Sequence, residues 1–404
     1  MTKKTRKSIL FFLIIGFLLA AVGFILYSLG WSLNQTVDGF LTFKKTGAVF
    51  LKTQPNNVSI RINGKSYPKK TGLFNNDGRL IKGFLAGDYQ VEISKEGFGS
   101  WQKNLTVEAG LVSSASKIFL FPQKIPIELI TQKDAEKFWL TDNKKEEIKN
   151  LFYSLKQKQL KMPGRVPIVQ IETFPFDTEK AIIASQKAIY LLDRQNFTLE
   201  LLVLVSINAL TTNGSEIIFV DQKNNLQIYE TKPHKITITE KIALGSSEKI
   251  IKTAVSKSNN KIALLTEKEE LFIYERQKKE LKLISGKIKD FRFSPDSKKL
   301  AVLIQTGEIN VIFLEDYHRD FRMAAGESLK LELLKNIPAL DFDWLPQILD
   351  YLVIQYPEEI IVAEIDSRPP TNWWLLAENI QDFAFDKENN LYFLRDAQFL
   401  KVVL

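Results

Sequence analysis

A chain of 404 residues that is 45% apolar and 25% charged has the composition of a folded protein and is too long for one ordinary core. It holds no cysteine, which excludes disulfides, thiolate catalysis and cysteine-ligated zinc. The net charge of +8 does not point to nucleic acid, because Lys3, Lys4, Arg6 and Lys7 supply half of it and elsewhere Lys and Glu are interspersed, as in Lys144-Lys145-Glu146-Glu147.

After the basic tail of residues 1–8, the run from Ile9 to Leu29 carries no charge. As a helix it measures about 31 Å, the thickness of a bilayer's hydrocarbon core. A cleaved signal peptide has a shorter apolar core, closed by small residues. Here the run is longer, and it ends in Tyr27-Ser28-Leu29-Gly30-Trp31 with no Ala-x-Ala site. An uncleaved span over residues 9–29 is therefore preferred to a cleaved signal or to a buried helix of a soluble protein. The basic flank places the N-terminus in the cytoplasm and the later residues outside it, a single-pass topology at the cell membrane. A large ectodomain without disulfides fits a prokaryotic envelope. The Asn-x-Ser/Thr triplets at Asn34, Asn104 and Asn213 are read as chance. Gly16, Ala20 and Gly23 share one helix face, a weak sign of self-association that leaves the oligomeric state open.

Residues 30–46 read as a linker, and from Gly47 to about Phe121 short strands alternate with turns. Val58, Ile60 and Ile62 alternate with Ser59 and Arg61, and Asn63-Gly64 then supplies a two-residue hairpin signal. Tyr89-Gln90-Val91-Glu92-Ile93 follows Gly87-Asp88, Gly97-Phe98 breaks the run, and Leu105-Thr106-Val107 resumes it. The expectation is a small β-sandwich over 47–122.

Three phrases of this segment resemble the PEGA domain family. Pro55-Asn56-Asn57-Val58 stands where the family has Pro-Glu-Gly-Ala, ahead of a strand ending in Asn63-Gly64. Ala86-Gly87-Asp88-Tyr89-Gln90-Val91 and Lys95-Glu96-Gly97-Phe98 match its later strand and turn. The departures are Asn57 for Gly and Val58 for Ala; Asn57 is expected to keep the turn by adopting positive φ. The resemblance covers about a fifth of the chain and implies a surface-exposed binding or spacer module without an active site. Its motif positions (Pro55, Asn56, Asn57, Val58, Asn63, Gly64, Gly87, Tyr89, Gly97 and Phe98) mark structure, not chemistry.

Residues 123–166 form a connecting segment. Within 134–160, Asp142-Asn143 opens a helix on which Ile148, Leu151, Phe152 and Leu155 share a face, ended by Met162-Pro163-Gly164.

From residue 167 to 404 the chain repeats with a period near 40, a mark of propeller blades. Ile288 to Leu303, with Phe293-Ser294-Pro295-Asp296, is the clearest unit. Ile250 to Leu265 and Ile380 to Leu394 repeat it, and Ile207 to Val220 and Ile337 to Ile354 are weaker copies. Each unit reads as a strand, a polar turn, an apolar inner strand and a third strand such as Glu270 to Tyr274. The last unit is short, and a strand from Ile127 to Trp139 is positioned to close the ring. The region resembles TolB-like or WD40-like propellers, without the Trp-Asp and Gly-His marks of the latter. About six blades are expected, with five to seven fitting the spacing. The fold class is mainly β: a transmembrane helix, a β-sandwich, then a β-propeller.

The two histidines, His234 and His318, sit in no metal spacing and read as loop residues. No Gly-x-Ser-x-Gly elbow, Walker or dinucleotide motif is present. Asp341-Phe342-Asp343 and Asp382-Phe383-Ala384-Phe385-Asp386 place carboxylates on a strand face, where calcium or acid–base chemistry competes with plain backbone hydrogen bonding; the latter is favoured. Trp373 and Trp374 are candidates for ligand contact, with one ring expected in the core. No cluster of charges converging from the inner strands is evident by spacing. The function expected is binding or scaffolding for a protein or cell-wall glycan partner, with the bilayer held through residues 9–29 and no cofactor, metal or nucleic acid. The alternative is an envelope lyase or hydrolase with its site in the propeller channel.

Overall fold

The computed structural model describes residues 3–28, 30–35, 41–67, 78–135, 168–174, 177–193, 196, 198–230, 235–241, 248–258, 260–333, 337–346, 348–386, 388 and 390–402. They form two compact units. One comprises Met1–Lys124, His318–Arg322 and Asp366–Asn372; the other comprises Ile125–Tyr317, Met323–Ile365 and Trp373–Leu404. The helix expected over Ile148, Leu151, Phe152 and Leu155 lies outside the described residues, as does His234.

The first unit opens with helix α1 (Lys3–Ser28), in which Ile9–Leu26 is long and apolar enough to cross a membrane. Strands β1 (Trp31–Gln35) and β2 (Leu41–Lys45) pair as an antiparallel ribbon over part of the expected linker. Strands β3 (Gly47–Gln54), β4 (Ser59–Ile62), β5 (Lys65–Tyr67), β6 (Arg79–Phe84), β7 (Gly87–Ser94), β8 (Trp101–Val107) and β9 (Val112–Phe119) make two sheets, ordered β6-β3-β9 and β5-β4-β7-β8. Period-2 burial is visible in β4, where Ile60 and Ile62 are buried and Ser59 and Arg61 exposed. In β8 the same period puts Lys103 on the buried face with Trp101, Leu105 and Val107.

The late segment Asp366–Asn372 accounts for that lysine. Lys103 Nζ donates to the carbonyls of Arg368 and Pro370, both at 2.8 Å. Asn104 N donates to Pro369 O at 2.8 Å, and the Asn372 amide exchanges two bonds with the Gln102 backbone at 3.0 and 2.9 Å. On β9, Asp320 accepts from Ser116 N at 2.8 Å and Arg368 donates to Ser114 O at 2.7 Å. Residues from far along the chain thus satisfy strand groups that an open edge leaves to water.

The second unit begins with β10 (Ile127–Ile130) and the short α2 (Gln132–Ala135). Six four-stranded antiparallel sheets follow. Blade 1 is β11 (Ile168–Phe174), β12 (Asp177–Ser185), β13 (Ile189–Asp193) and β14 (Thr198–Val203). Blade 2 is β15 (Ile207–Thr212), β16 (Glu216–Asp221), β17 (Asn225–Glu230) and β18 (Lys235–Lys241). Blade 3 is β19 (Ile250–Val255), β20 (Lys261–Thr266), β21 (Leu271–Glu275) and β22 (Glu280–Ser285). Blade 4 takes β23 (Ile288–Phe293), β24 (Lys299–Ile304) and β25 (Ile309–Phe313), skips the ribbon β26 (Tyr317–His318) and β27 (Arg322–Met323), and ends on β28 (Ser328–Lys330). Blade 5 is β29 (Asp341–Trp344), β30 (Tyr351–Gln355), β31 (Glu359–Glu364) and β32 (Trp373–Glu378). Blade 6 is β33 (Asp382–Phe385), β34 (Leu391–Arg395) and β35 (Gln398–Val402), completed by β10.

Ring closure is direct, since Ile127 pairs with Val402 and Ile130 with Phe399. The first strands of blades 1 to 4 touch one another in series, which makes the first strand of each sheet the innermost. The apolar strand after each polar turn is therefore second in its blade, not innermost as the sequence suggests. It is apolar throughout because neighbouring blades cover both its faces: in β24, Leu300, Ala301, Val302 and Leu303 are all buried.

Candidate functional site

The inner strands share a local device. Pairing with the second strand slips by one residue at Ile168/Gln170, Ile207/Ala209, Ile250/Lys252 and Ile288/Asp290. A β-bulge at one point of the repeat re-aims the side chains after it. In blades 3 and 4 it presents Lys252, Asp290 and Arg292; blade 5 adds Asp341 and Asp343.

These side chains meet. Lys252 Nζ pairs with Asp290, and Arg292 reaches Asp341 at 2.9 Å, Asp343 at 3.4 Å and Asp290 at 3.8 Å. The guanidinium also donates to the carbonyl of Phe342, and its plane lies 5.4 Å over the Phe342 ring. Glu172 of blade 1 accepts from Gln170 at 2.6 Å and feels the charge of Lys252. Gln170 ties blade 1 to blade 2 through both backbone groups of Leu210, at 2.9 and 3.0 Å. Four carboxyl groups (Glu172, Asp290, Asp341 and Asp343) thus share two cations.

The electrostatics follow from enclosure. Desolvation is the largest influence on Asp343 and raises its pKa, although Arg292 and the Trp344 N–H act to lower it. Glu172 is likewise raised by desolvation against the pull of Gln170 and Lys252. Desolvation works to lower Arg292, yet Asp343, Asp341 and Asp290 outweigh it and hold the guanidinium above its ordinary value. Although enclosed by protein, the Arg292 and Asp343 side chains keep 28% and 39% of their surface accessible, so they line a solvent-reachable space. Chemically, the arrangement presents polar donors and acceptors, with two carboxyls held toward their protonated forms.

This convergence corrects the expectation that no such cluster exists. Asp341 and Asp343 do accept backbone N–H bonds, from Phe342 at 2.7 Å and Trp344 at 2.8 Å, as favoured from sequence. They also face Arg292, which spacing alone conceals. The usable signal was the repeat itself. Aligned on Ile168, Ile207, Ile250, Ile288, Ala339 and Ile380, the units put Gln170, Ala209, Lys252, Asp290, Asp341 and Asp382 in one column, with Glu172, Thr211, Ala254, Arg292, Asp343 and Ala384 two residues later. Asp386 is different: burial acts to raise it, but bonds from Asn390, Tyr392 and the Glu388 backbone lower it in a turn.

The sequence-marked positions do not gather at this cluster. Trp374 is 7% exposed and packs on Tyr351 with ring centroids 6.1 Å apart, while Trp373 is 38% exposed on the outer strand β32. Asn63 and Gly64 take φ of 47° and 75°, and the Asn63 side chain accepts from Gln90 N at 2.8 Å. Asn57 does not adopt positive φ, contrary to expectation, so its chain reversal needs no left-handed residue there. Pro55 accepts from Thr53 Oγ1 at 2.9 Å, Val58 is buried beside exposed Asn56 and Asn57, and Gly87 opens β7. Tyr89 packs on Phe84 at 4.9 Å, and Gly97 and Phe98 turn the chain under Lys95. His318 is exposed in the first unit. Among the described residues, no group of three or more His, Asp or Glu side chains is placed to hold a metal ion.

Six radial sheets closed by a strand from before the first blade define a β-propeller. The chain belongs to the NUP159/214 beta propeller family, whose model matches residues 165–391. That match lies over the propeller and not over residues 47–122. The chain is also similar to the Cps50 (Swd1) beta-propeller domain of Myceliophteria thermophila, at 9% identity and a TM-score of 0.39, over 59% of this chain and 83% of that one. A putative 6-phosphogluconolactonase from Bacteroides uniformis ATCC 8492 is similar at 13% identity and a TM-score of 0.39, over 58% and 80%. At those scores neither likeness bears on function. No curated protein matches the chain in sequence.

Proposed function

We propose that the chain is a single-pass, membrane-anchored binding or scaffold protein of the prokaryotic envelope. Its N-terminus lies in the cytoplasm. Outside the membrane it presents a PEGA-like module over 47–122 and the propeller over 167–404 to a protein or cell-wall glycan partner. One observation carries this reading: a propeller, a fold suited to protein interaction, follows in the same chain a helix long and apolar enough to cross a bilayer. The basic residues that open α1, ahead of the apolar run from Ile9, support the orientation. Fractionation and protease shaving of intact cells test it. The full chain should resist carbonate extraction, a chain lacking residues 1–30 should become soluble, and external protease should remove the C-terminal region. Carbonate extraction of the full chain, or complete protection from protease, would falsify the reading.

The convergence of Glu172, Lys252, Arg292 and Asp343 favours a second reading, a lyase or hydrolase acting at the inner strands. It predicts product release from a panel of envelope glycans by the full chain and none by Asp343→Asn. Glycan retention without turnover returns the assignment to binding.

A further inference from the structure

The first unit is registered onto the end of α1 by its backbone. Thr46 N and Oγ1 both donate to Gly30 O, at 2.7 and 2.8 Å, and Gly110 N donates to Thr46 O at 3.1 Å. Gly30 and Gly110 are thus neighbours across Thr46, and a Cβ built on Gly30 would lie 3.8 Å from Gly110 Cα. Gly110, at φ 83°, is the corner of a tight turn closed by Leu111 N donating to Glu108 O at 3.1 Å. That positive φ makes glycine the fitting residue there.

The apolar run ends at Leu29, so Gly30 sits where hydrocarbon gives way to headgroups. The headgroup layer is about 5–8 Å deep on each side of a bilayer. A turn held beside Gly30 through Thr46 therefore lies at that layer.

The side chains here suit such a place. Leu111 and Val112 are each 55% exposed, with Phe43 at 59% and Trp31 at 37%. Trp31 stands opposite Lys45 in the β1–β2 ribbon, and the Lys45 side chain runs over Gly110. Lys44 and Lys45 are exposed, and Glu108 is the one acid in the turn. Apolar tips, a tryptophan and lysines at the end of a spanning helix match an interface of acyl chains below and phosphates above.

We propose that the turn Glu108–Leu111, with Val112 and the β1–β2 ribbon, is a bilayer-docking edge that holds the first unit against an anionic lipid surface. This rests on α1 being membrane-inserted. Leu111 and Val112 enter the interfacial layer beside Trp31 and Phe43, and Lys44 and Lys45 face the lipid phosphates. The edge fixes how the first unit stands on the membrane, beyond tethering it.

The natural chain has no cysteine, so single substitutions give unique labels. Full-length Leu111→Cys, Leu18→Cys and Glu96→Cys, each carrying an environment-sensitive fluorophore, are reconstituted in nanodiscs of phosphatidylcholine and phosphatidylglycerol. Glu96 lies past the far end of β7, whose start pairs with Val107; eight strand residues put it roughly 25 Å from the turn. Nitroxide lipids should quench Leu18 with a deep probe and Leu111 with a shallow one. The shallow probe should quench Leu111 several-fold more than Glu96, with a blue shift at Leu111. Quenching at Leu18 with Leu111 behaving like Glu96 overturns the docking edge and leaves the anchor standing. No quenching at Leu18 overturns both. A blue shift at Leu111 that tracks protein concentration without lipid quenching assigns the edge to a second copy and likewise overturns the proposal.

Discussion

Arg292 is the residue on which the inner cluster turns. It faces Asp341, Asp343 and Asp290, so its removal leaves three carboxylates with Lys252, among the described residues, as the cation beside them. Breaking a fully buried pair costs about 3–5 kcal/mol, and partial access of water here reduces that to about 2–3 kcal/mol for Arg292→Gln. Urea unfolding of the full chain in micelles measures it, and the deficit should shrink on acidification as Asp343, whose pKa desolvation raises, takes up a proton. Glu172 predicts the opposite sign. Its folded pKa is raised by desolvation above the ordinary value of about 4.3. Its contribution is therefore fully present below that value and is lost as pH rises through the folded pKa. Glu172→Gln should match the natural chain near pH 4 and become the more stable of the two toward pH 8. A flat difference across that range would mean that burial does not penalise the Glu172 carboxylate.

Elements were legible where their chemistry is local. The Asn63-Gly64 hairpin needs two residues at positive φ, and both adopt it. A Cβ on Gly64 would meet no atom within 4 Å, so Gly64→Val should cost only the torsional penalty, about 1–2 kcal/mol in thermal unfolding. The second strands of the blades were equally plain, because cover on both faces forces unbroken apolar runs. The inner strands were not. Their charged residues take meaning from partners on other blades, Lys252 from Asp290 and Arg292 from Asp341, and a bulge sets which of them face one another. Asn57 failed for a related reason: a motif position implies a backbone angle only if the turn type is kept.

At the scale of the whole chain, the repeat period announced the propeller, and the short last unit announced its closing strand, although that strand ends at Ile130 and gives way to α2 instead of continuing toward Trp139. Deleting residues 125–131 should leave β35 with a bare edge, read as lost hydrogen-exchange protection over residues 382–402 ahead of the other blades. Unaltered protection there would mean that closure contributes little. Nothing in the sequence signalled that His318–Arg322 and Asp366–Asn372 belong to the first unit, since their bonds to Ser116, Lys103 and Gln102 span hundreds of residues. That membership has a consequence for biosynthesis. The N-terminal body lacks its last pieces until Asn372 has been made, and the ring stays open until Phe399 reaches Ile130. At about 5–20 residues per second, a ribosome needs roughly 15–55 s to run from one end of that seam to the other. Throughout that interval the nascent chain carries raw strand borders. Borders left bare for that long invite wrong pairing, so a chain cut short before Asn372 is expected to aggregate.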